Sequence, residues 1–218
     1  MSQEDFYQEW IQNRLIVIDD KIKQLFGDDF FRGKTMLELG ALHGYFGNKF
    51  HLKGALLTCF EGREDNLKVL NEVHPHLKNK LVDCDKIMID EHYDVILHLG
   101  LLYHLKNVES SLVNSLKHCD VLILETENID NESDEIHITY EGISKNCNVS
   151  SLSDSDCENL VTRTSRKWLE RVFEENGFEY HLISDSRANT PPYRYDWTSN
   201  NTGDISALRS IYIASRKK

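Results

Sequence analysis

Glu38, Gly40 and Gly44 lie where an apolar segment ends and a stretch with helical spacing begins. The run beginning at Thr35 breaks at Gly40, and helical spacing resumes after Gly44, which predicts a strand, a tight turn and a helix. Glycine lets the backbone turn tightly and approach a ligand, and open α/β sheets bind ligands at the carboxyl ends of their strands. The candidate binding loop consists of Glu38, Gly40, Ala41, Leu42, His43 and Gly44. We expect Glu38 to accept a hydrogen bond from an ammonium group.

Two further acids follow the next two apolar segments. Glu61 stands 21 residues beyond Gly40 and is followed by Gly62 and Arg63, at a place where a carboxylate can accept hydrogen bonds from both hydroxyls of a ribose. Asp83 ends the third segment, and with the amide of Cys84 it is the expected partner of an adenine amino group. The order of these residues predicts a nucleoside site across consecutive strand ends.

The elements that must position these residues alternate along the chain. Seven short segments are apolar or strand-like, and helical stretches separate the first five of them, which indicates a parallel sheet covered by helices on both faces. The predicted strands are residues 35–39, 55–60, 81–82, 95–99, 121–124, 178–183 and 210–214. Residues 1–33 predict one or two N-terminal helices. The fold class is therefore α/β, Rossmann-like and doubly wound.

Composition limits the class of protein. The chain has 218 residues, of which 40% are hydrophobic and 28% charged, so we expect a single domain over 1–218. No apolar run approaches the roughly 18 residues that cross a bilayer, and the polar N-terminus resembles no export signal, so we expect a cytoplasmic protein without a membrane segment. The net charge of −11 disfavours extended nucleic-acid binding.

Two other features of the sequence bear on sites. The five cysteines include no C-x-x-C pair, which argues against a zinc cluster or a disulfide framework, and we predict no metal site. Residues 128–156 are rich in Asn, Ser and Asp, so we expect segment 128–163 to be a long connection that serves as a lid or substrate loop. Disorder is the alternative for this segment.

Taken together, these residues resemble the class I S-adenosylmethionine-dependent methyltransferases, from Thr35 to the C-terminus. Residues 93–105 (YDVILHLGLLYHL) look especially like the fourth-strand motif of methyltransferases related to the tRNA wobble-uridine carboxymethyltransferases. The resemblance implies S-adenosylmethionine as cofactor, an antiparallel last strand, and Leu99 and Gly100 as a strand end that lines the cofactor. Leu42 departs from the family pattern, because many members have a second glycine there.

Substrate and catalytic residues are expected near the same strand ends. His104 is the candidate general base, since it follows the fourth strand and histidine titrates near neutrality; His43 is a second candidate, and a packed structural histidine is the alternative for His104. Methyl transfer itself requires mainly close positioning of the acceptor. The candidate substrate contacts are Tyr103, Tyr193, Arg194, Tyr195 and Trp197. For the last four, simple loop packing is the alternative.

The sequence leaves several functions open. The leading hypothesis is methyl transfer to a small molecule, a sugar derivative or a nucleoside. A methyltransferase fold that binds a partner without reacting, and a carboxymethyltransferase that uses a carboxylated cofactor, are alternatives. An NAD-binding domain is disfavoured, because the turn lacks the G-x-G-x-x-G pattern and the chain ends with two β segments joined by a loop. The oligomeric state is left open.

Overall fold

The computed structural model describes residues 3–86, 88–129, 133–140, 160–196 and 208–217. Within these ranges nine strands form one mixed sheet, and five α-helices pack around it. The strands are β1 (Thr35–Leu39), β2 (Leu56–Glu61), β3 (Lys78–Leu81), β4 (Tyr93–Leu99), β5 (Cys119–Ile129), β6 (Ile136–Tyr140), β7 (Leu160–Ser165), β8 (Phe178–Ile183) and β9 (Arg209–Arg216). The helices are α1 (Gln3–Phe26), α2 (Tyr45–His51), α3 (Glu64–Val73), α4 (Val108–Lys117) and α5 (Arg166–Glu175).

The sheet has a doubly wound core. Strands β3, β2, β1, β4 and β5 lie side by side and are parallel, β9 pairs antiparallel with β5, and β8 pairs antiparallel with β9. The chain runs outward from β1 to β3 and then returns to form β4 beside β1. The topological switch point, where such sheets bind ligands, therefore lies between the carboxyl ends of β1 and β4. The predicted α/β class and the antiparallel last strand are confirmed.

The sheet contains two strands, β6 and β7, in addition to the seven that the sequence predicted. β6 and β7 pair with each other, and β7 also pairs with the far end of β5, where Asn128 Nδ2 donates to the Thr164 carbonyl at 3.0 Å. Both described ends of segment 128–163 are thus strands, and the expected loop is wrong there. β6 and β7 contain β-branched residues, which favour strands, but the many Asn, Ser and Asp residues of the segment led to the prediction of a loop. Residues 130–132 and 141–159 of the expected lid lie outside the described residues.

Helices cover the two faces of the sheet with separate apolar clusters. α1, a single helix where one or two were expected, buries Leu15, Ile18 and Ile22 against the face that α2 and α3 also cover. α4 and α5 pack on the opposite face. α5 begins after Ser165, whose Oγ accepts a hydrogen bond from the Trp168 amide at 3.0 Å and caps the helix. No helix in the described ranges is long and apolar enough to cross a membrane.

Candidate functional site

The turn after β1 is a closely packed loop with three residues at positive φ. Gly40, Leu42 and Gly44 have φ of 67°, 52° and 76°. A Cβ on Gly44 would lie 2.5 Å from Leu70 Cδ1, and L side chains rarely adopt its φ of 76°, so both packing and backbone conformation favour glycine there. The Ala41 amide donates to the Phe60 carbonyl at 3.0 Å and ties the loop to β2. The sequence prediction of a tight strand-to-helix turn is confirmed.

Glu61 at the end of β2 holds this loop. Its Oε2 accepts a hydrogen bond from the Leu42 amide at 2.7 Å, and its Oε1 accepts from the Arg63 amide at 3.0 Å and from Asn66 Nδ2 at 3.3 Å. A carboxylate has about four acceptor positions, two on each oxygen. Oε2 therefore keeps one acceptor position for a hydroxyl of a ligand. Gly62 is buried beside it, and Arg63 pairs with Asp65 at 2.6 Å.

Glu38 lies below the loop and faces away from its surface. Its Oε1 accepts a hydrogen bond from the Gly47 amide at 3.2 Å, and its Oε2 is 3.7 Å from Cys59 Sγ. Burial raises the pKa of this carboxyl to about 8. The residue is only 4% exposed, and its carboxyl supports the first turn of α2; the expected contact between Glu38 and a ligand ammonium stays a prediction.

The turn after β3 brings Asp83 and Cys84 to the same edge of the sheet. Asp83 Oδ1 accepts from the Asp85 amide at 3.0 Å, and the Lys86 ammonium lies 3.1 Å from Oδ2 without hydrogen-bond geometry. The thiol of Cys84 is buried, which raises its pKa to about 12. Asp85 in turn accepts from the Lys106 amide at 3.0 Å. The turn after β3 is thereby fixed to the segment that follows β4.

The end of β4 meets the glycine loop at the switch point. Gly100 has φ of 70°, and its amide donates to the Glu125 carbonyl at 3.0 Å. Leu99 pairs with Glu125 across β4 and β5. The Leu101 side chain lies 3.0 Å from the position that a Cβ on Gly40 would occupy. The structure therefore brings Gly40, Glu61, Asp83 and Gly100, chosen from the sequence, to one edge of the sheet.

A buried polar cluster extends this edge toward β5 and β9. We define it as Arg14, Glu125, Glu127, Tyr195 and Arg209. Glu125 Oε1 accepts from Tyr195 Oη at 2.9 Å and from Arg209 Nη1 at 3.0 Å, while its Oε2 accepts from Arg14 Nη1 at 3.2 Å. Arg209 also pairs with Glu127 at 2.7 Å. Burial raises the pKa of Glu125, but Arg209 and Arg14 outweigh this effect and hold it below its usual value.

The expected substrate residues divide into two groups. Tyr195 is completely buried in the polar cluster, so the expectation that its ring meets a substrate is corrected. Tyr193 is half-buried and packs on Arg209, whose Cζ lies 4.2 Å from the ring centre. Arg194 is half-buried, with its Nε 3.8 Å from Asp196 Oδ1. Trp197 lies outside the described residues.

The residues after β4 form a 3₁₀ turn, Leu102–His104. The buried Tyr103 hydroxyl lies 3.3 Å from Arg209 Nη2, which joins this turn to the polar cluster. His104 is half-buried, and its ring centre lies 4.1 Å from that of Tyr103. His43 is also half-buried and lies in the glycine loop, where its ring contacts Tyr45. Of the two candidate bases, His104 is the one adjacent to the polar cluster.

Sequence reasoning did not select the two buried arginines. Arg14 and Arg209 are 3% and 1% exposed. A signal was present, because Arg14 stands one residue before the apolar run at 15–18 and Arg209 begins an apolar terminal strand. Such isolated arginines in apolar segments are rarely buried without a partner or a ligand.

No family model matches the sequence, and no curated protein sequence is similar to it. Solved structures do share its fold. The N-terminal domain of EvdMO1, crystallised in the presence of SAH and D-fucose, is 18% identical, with a TM-score of 0.67 over 92% of this chain and 82% of that one. CalS10, a SAM-bound amino pentose methyltransferase from Micromonospora echinaspora, is 13% identical, with a TM-score of 0.62 over 98% and 96% of the two chains.

Magnesium protoporphyrin IX methyltransferase from Synechocystis PCC 6803, crystallised with bound SAM, gives a TM-score of 0.60 at 12% identity over 94% of this chain and 80% of that one. CalS10 and the magnesium protoporphyrin IX enzyme are named for different substrates. At identities of this size the likeness concerns the path of the backbone. The chain described here therefore has the Rossmann-like fold found in these methyltransferase structures.

Proposed function

We propose that this protein is an S-adenosylmethionine-dependent methyltransferase that acts on a small-molecule acceptor, with a sugar or a nucleoside as the leading classes. The observation that carries the proposal is the 2.7 Å hydrogen bond from the Leu42 amide to Glu61 Oε2. It fixes a glycine loop and a carboxylate on neighbouring strand ends, as recognition of a nucleoside requires. The shared fold of SAM- and SAH-bound structures supports the same cofactor.

The residues present fit this cofactor. Glu61 Oε2 has an acceptor position for a ribose hydroxyl, and Asp83 in the turn after the neighbouring β3 is the residue we assign to the adenine amino group. Leu42, whose amide contacts Glu61, is 46% exposed at the surface of the loop. The bound cofactor supplies an electrophilic methyl group on a sulfonium. The contribution of the chain is to orient the nucleoside and to hold the acceptor in line with that methyl group.

The acceptor would bind beside the end of β4. The half-buried Tyr193 lies there beside the polar cluster, and aromatic rings of this kind stack on sugars and planar groups. The Tyr103 ring is buried against His104 and Arg209 and positions these two residues. EvdMO1 was crystallised with D-fucose, and CalS10 methylates an amino pentose, which supports a sugar acceptor. The resemblance of residues 93–105 to wobble-uridine enzymes supports a modified nucleoside as the second class.

A general base is needed only for an acceptor that must lose a proton as it reacts. We assign this role to His104, because it adjoins Tyr103 at the end of β4. Its imidazole would accept the proton of an acceptor hydroxyl or ammonium group. An acceptor with a free amine or thiolate would not require it, and the reaction would then be insensitive to this residue.

Product analysis tests the proposal. The protein is incubated with S-adenosylmethionine carrying a deuterated methyl group and with panels of aminosugars, nucleotide sugars and nucleosides, and mass spectrometry follows the labelled methyl group. We expect a labelled product from at least one panel, and loss of that product in His104→Ala for a hydroxyl acceptor. His92→Ala, an exposed histidine far from β4's carboxyl end, is the matched control. Cofactor binding without any labelled product would favour a non-reacting binding subunit.

A further inference from the structure

If the proposed function holds, the protein must also hold the amino-acid arm of the cofactor. With adenine near Asp83 after β3 and ribose at Glu61 at the end of β2, the amino-acid substituent of the cofactor's sulfur extends toward β1 and β4. That arm ends in an ammonium and a carboxylate. A buried or half-buried carboxylate needs a cation with which to pair. The glycine loop provides backbone amides but contains no arginine or lysine.

Arg14 of α1 lies between the glycine loop and the end of β4. Its Cζ is 4.6 Å from the ring centre of Phe46, in the first turn of α2 directly after the glycine loop. Its Nη1 is 3.2 Å from Glu125 Oε2, and that oxygen lies 3.4 Å from where a Cβ on Gly100 would be. One guanidinium therefore spans the loop after β1 and the end of β4, the two sides of the switch point.

The guanidinium is fixed and has one donor group unused. Arg14 stacks on the Trp10 ring, with Cζ 3.7 Å from its centre, and its Nε donates to the Trp10 carbonyl at 3.2 Å. Among the described residues no acceptor lies within hydrogen-bond distance of Nη2, and this nitrogen is not fully enclosed. Glu125, the carboxylate that pairs with Arg14, is shared with Arg209. Arg14 is therefore preorganised and only partly neutralised.

We propose that Arg14 binds the α-carboxylate of the cofactor's amino-acid arm through Nη2. Glu125 and the two aromatic rings hold the guanidinium in place before the ligand arrives, so little side-chain entropy is lost on binding. The residue thereby distinguishes an adenosyl amino acid from a simple adenosyl thioether.

Three ligands test this assignment by calorimetry. S-adenosylhomocysteine carries the complete arm, its decarboxylated analogue carries only the amine, and 5′-methylthioadenosine lacks the arm. We expect Arg14→Gln to weaken S-adenosylhomocysteine binding about 10- to 100-fold, the range of a charged hydrogen bond. Binding of the other two ligands is expected to stay within about twofold in that variant. Arg32→Gln, an exposed arginine at the far end of β1, is the matched control and leaves all three affinities unchanged.

The outcomes separate this inference from the proposed function. Equal losses for all three ligands, or no loss for any, would overturn the role of Arg14 while leaving the cofactor assignment intact. Failure of the wild-type protein to bind any of the three would overturn the proposed function instead. Arg14→Lys retains the charge and serves if Arg14→Gln does not fold. It is expected to lose affinity for S-adenosylhomocysteine alone, because an ammonium cannot contact Glu125 and a ligand in the same fork geometry.

Discussion

The backbone amide of Leu42 donates a 2.7 Å hydrogen bond to Glu61 Oε2. This contact makes one carboxylate both a structural clamp for the loop after β1 and the candidate ribose acceptor at the end of β2. It also explains how a leucine occupies a position with φ of 52°, a conformation that costs a non-glycine residue about 1 kcal/mol. The hydrogen bond to Glu61 offsets part of that cost.

Leu42→Gly is expected to stabilise the protein modestly. Glycine removes the strain at positive φ, although its greater freedom in the unfolded state cancels part of the gain, so the free energy of unfolding rises by about 0.5 kcal/mol. Urea denaturation measures the change. Leu52→Gly is the control, because Leu52 is also exposed but has φ of −63°, and we expect this substitution to destabilise. Equal destabilisation by both substitutions would contradict strain at Leu42.

Burial of Glu38 should make the protein less stable as the pH rises. Burial raises its pKa from an ordinary 4.5 to about 8 in the folded protein, so the folded state holds this proton more tightly than the unfolded chain. The free energy of unfolding therefore declines between pH 4.5 and 8 by a few kcal/mol, and Glu38→Gln should remove most of this decline. Denaturation curves across that range measure it. Glu109→Gln, on the surface of α4, should leave the decline intact.

Burial of His98 should make the free energy of unfolding fall as the pH is lowered, which is the opposite of the effect of Glu38. Its ring is completely buried in β4, neither nitrogen has a hydrogen-bond partner among the described residues, and burial lowers its pKa from 6.5 to about 4. As the pH drops from 6.5 toward 4, His98 is protonated in the unfolded chain but not in the folded protein, so the free energy of unfolding falls.

His98→Leu tests this dependence. It should raise the free energy of unfolding by about 1–3 kcal/mol at pH 7, where the substitution removes an unsatisfied buried group, and by more at pH 5. Thermal or urea unfolding at the two pH values is the measurement. A destabilised leucine variant, or a difference that does not grow on acidification, would count against this description of His98.

Local sequence patterns were sufficient for the core of the fold. Apolar segments predicted six of the seven strands of the doubly wound sheet. The third predicted strand, residues 81–82, overlaps β3 only at Leu81, because β3 (Lys78–Leu81) is a polar strand at the edge of the sheet. β6 and β7 were missed because short alternating strands within a polar segment carry little signal. Burial of Glu38 was missed for another reason. Its position at a strand end does not reveal that the carboxyl turns under α2 toward the Gly47 amide.

The polar cluster depends on contacts between distant parts of the chain. Arg14 and Glu125 are 111 residues apart, and Arg209 and Glu125 are 84 apart. Only the packing of α1 and β9 against β5 brings them together. The sequence therefore indicated Glu61 and Asp83 at strand ends that the structure brings to one edge of the sheet, while the buried arginines beside them required the tertiary structure.

Binding of S-adenosylhomocysteine is the most direct test of the nucleoside site. Calorimetry should show stoichiometric binding to the wild-type protein. Glu61→Gln keeps an acceptor for the Leu42 amide but removes the charge, and should weaken binding about 10- to 100-fold. Glu64→Gln, an exposed neighbour in the first turn of α3, should bind as the wild type does. Absence of binding to the wild type, or unchanged affinity in Glu61→Gln, would contradict the assignment of this edge of the sheet as a cofactor site.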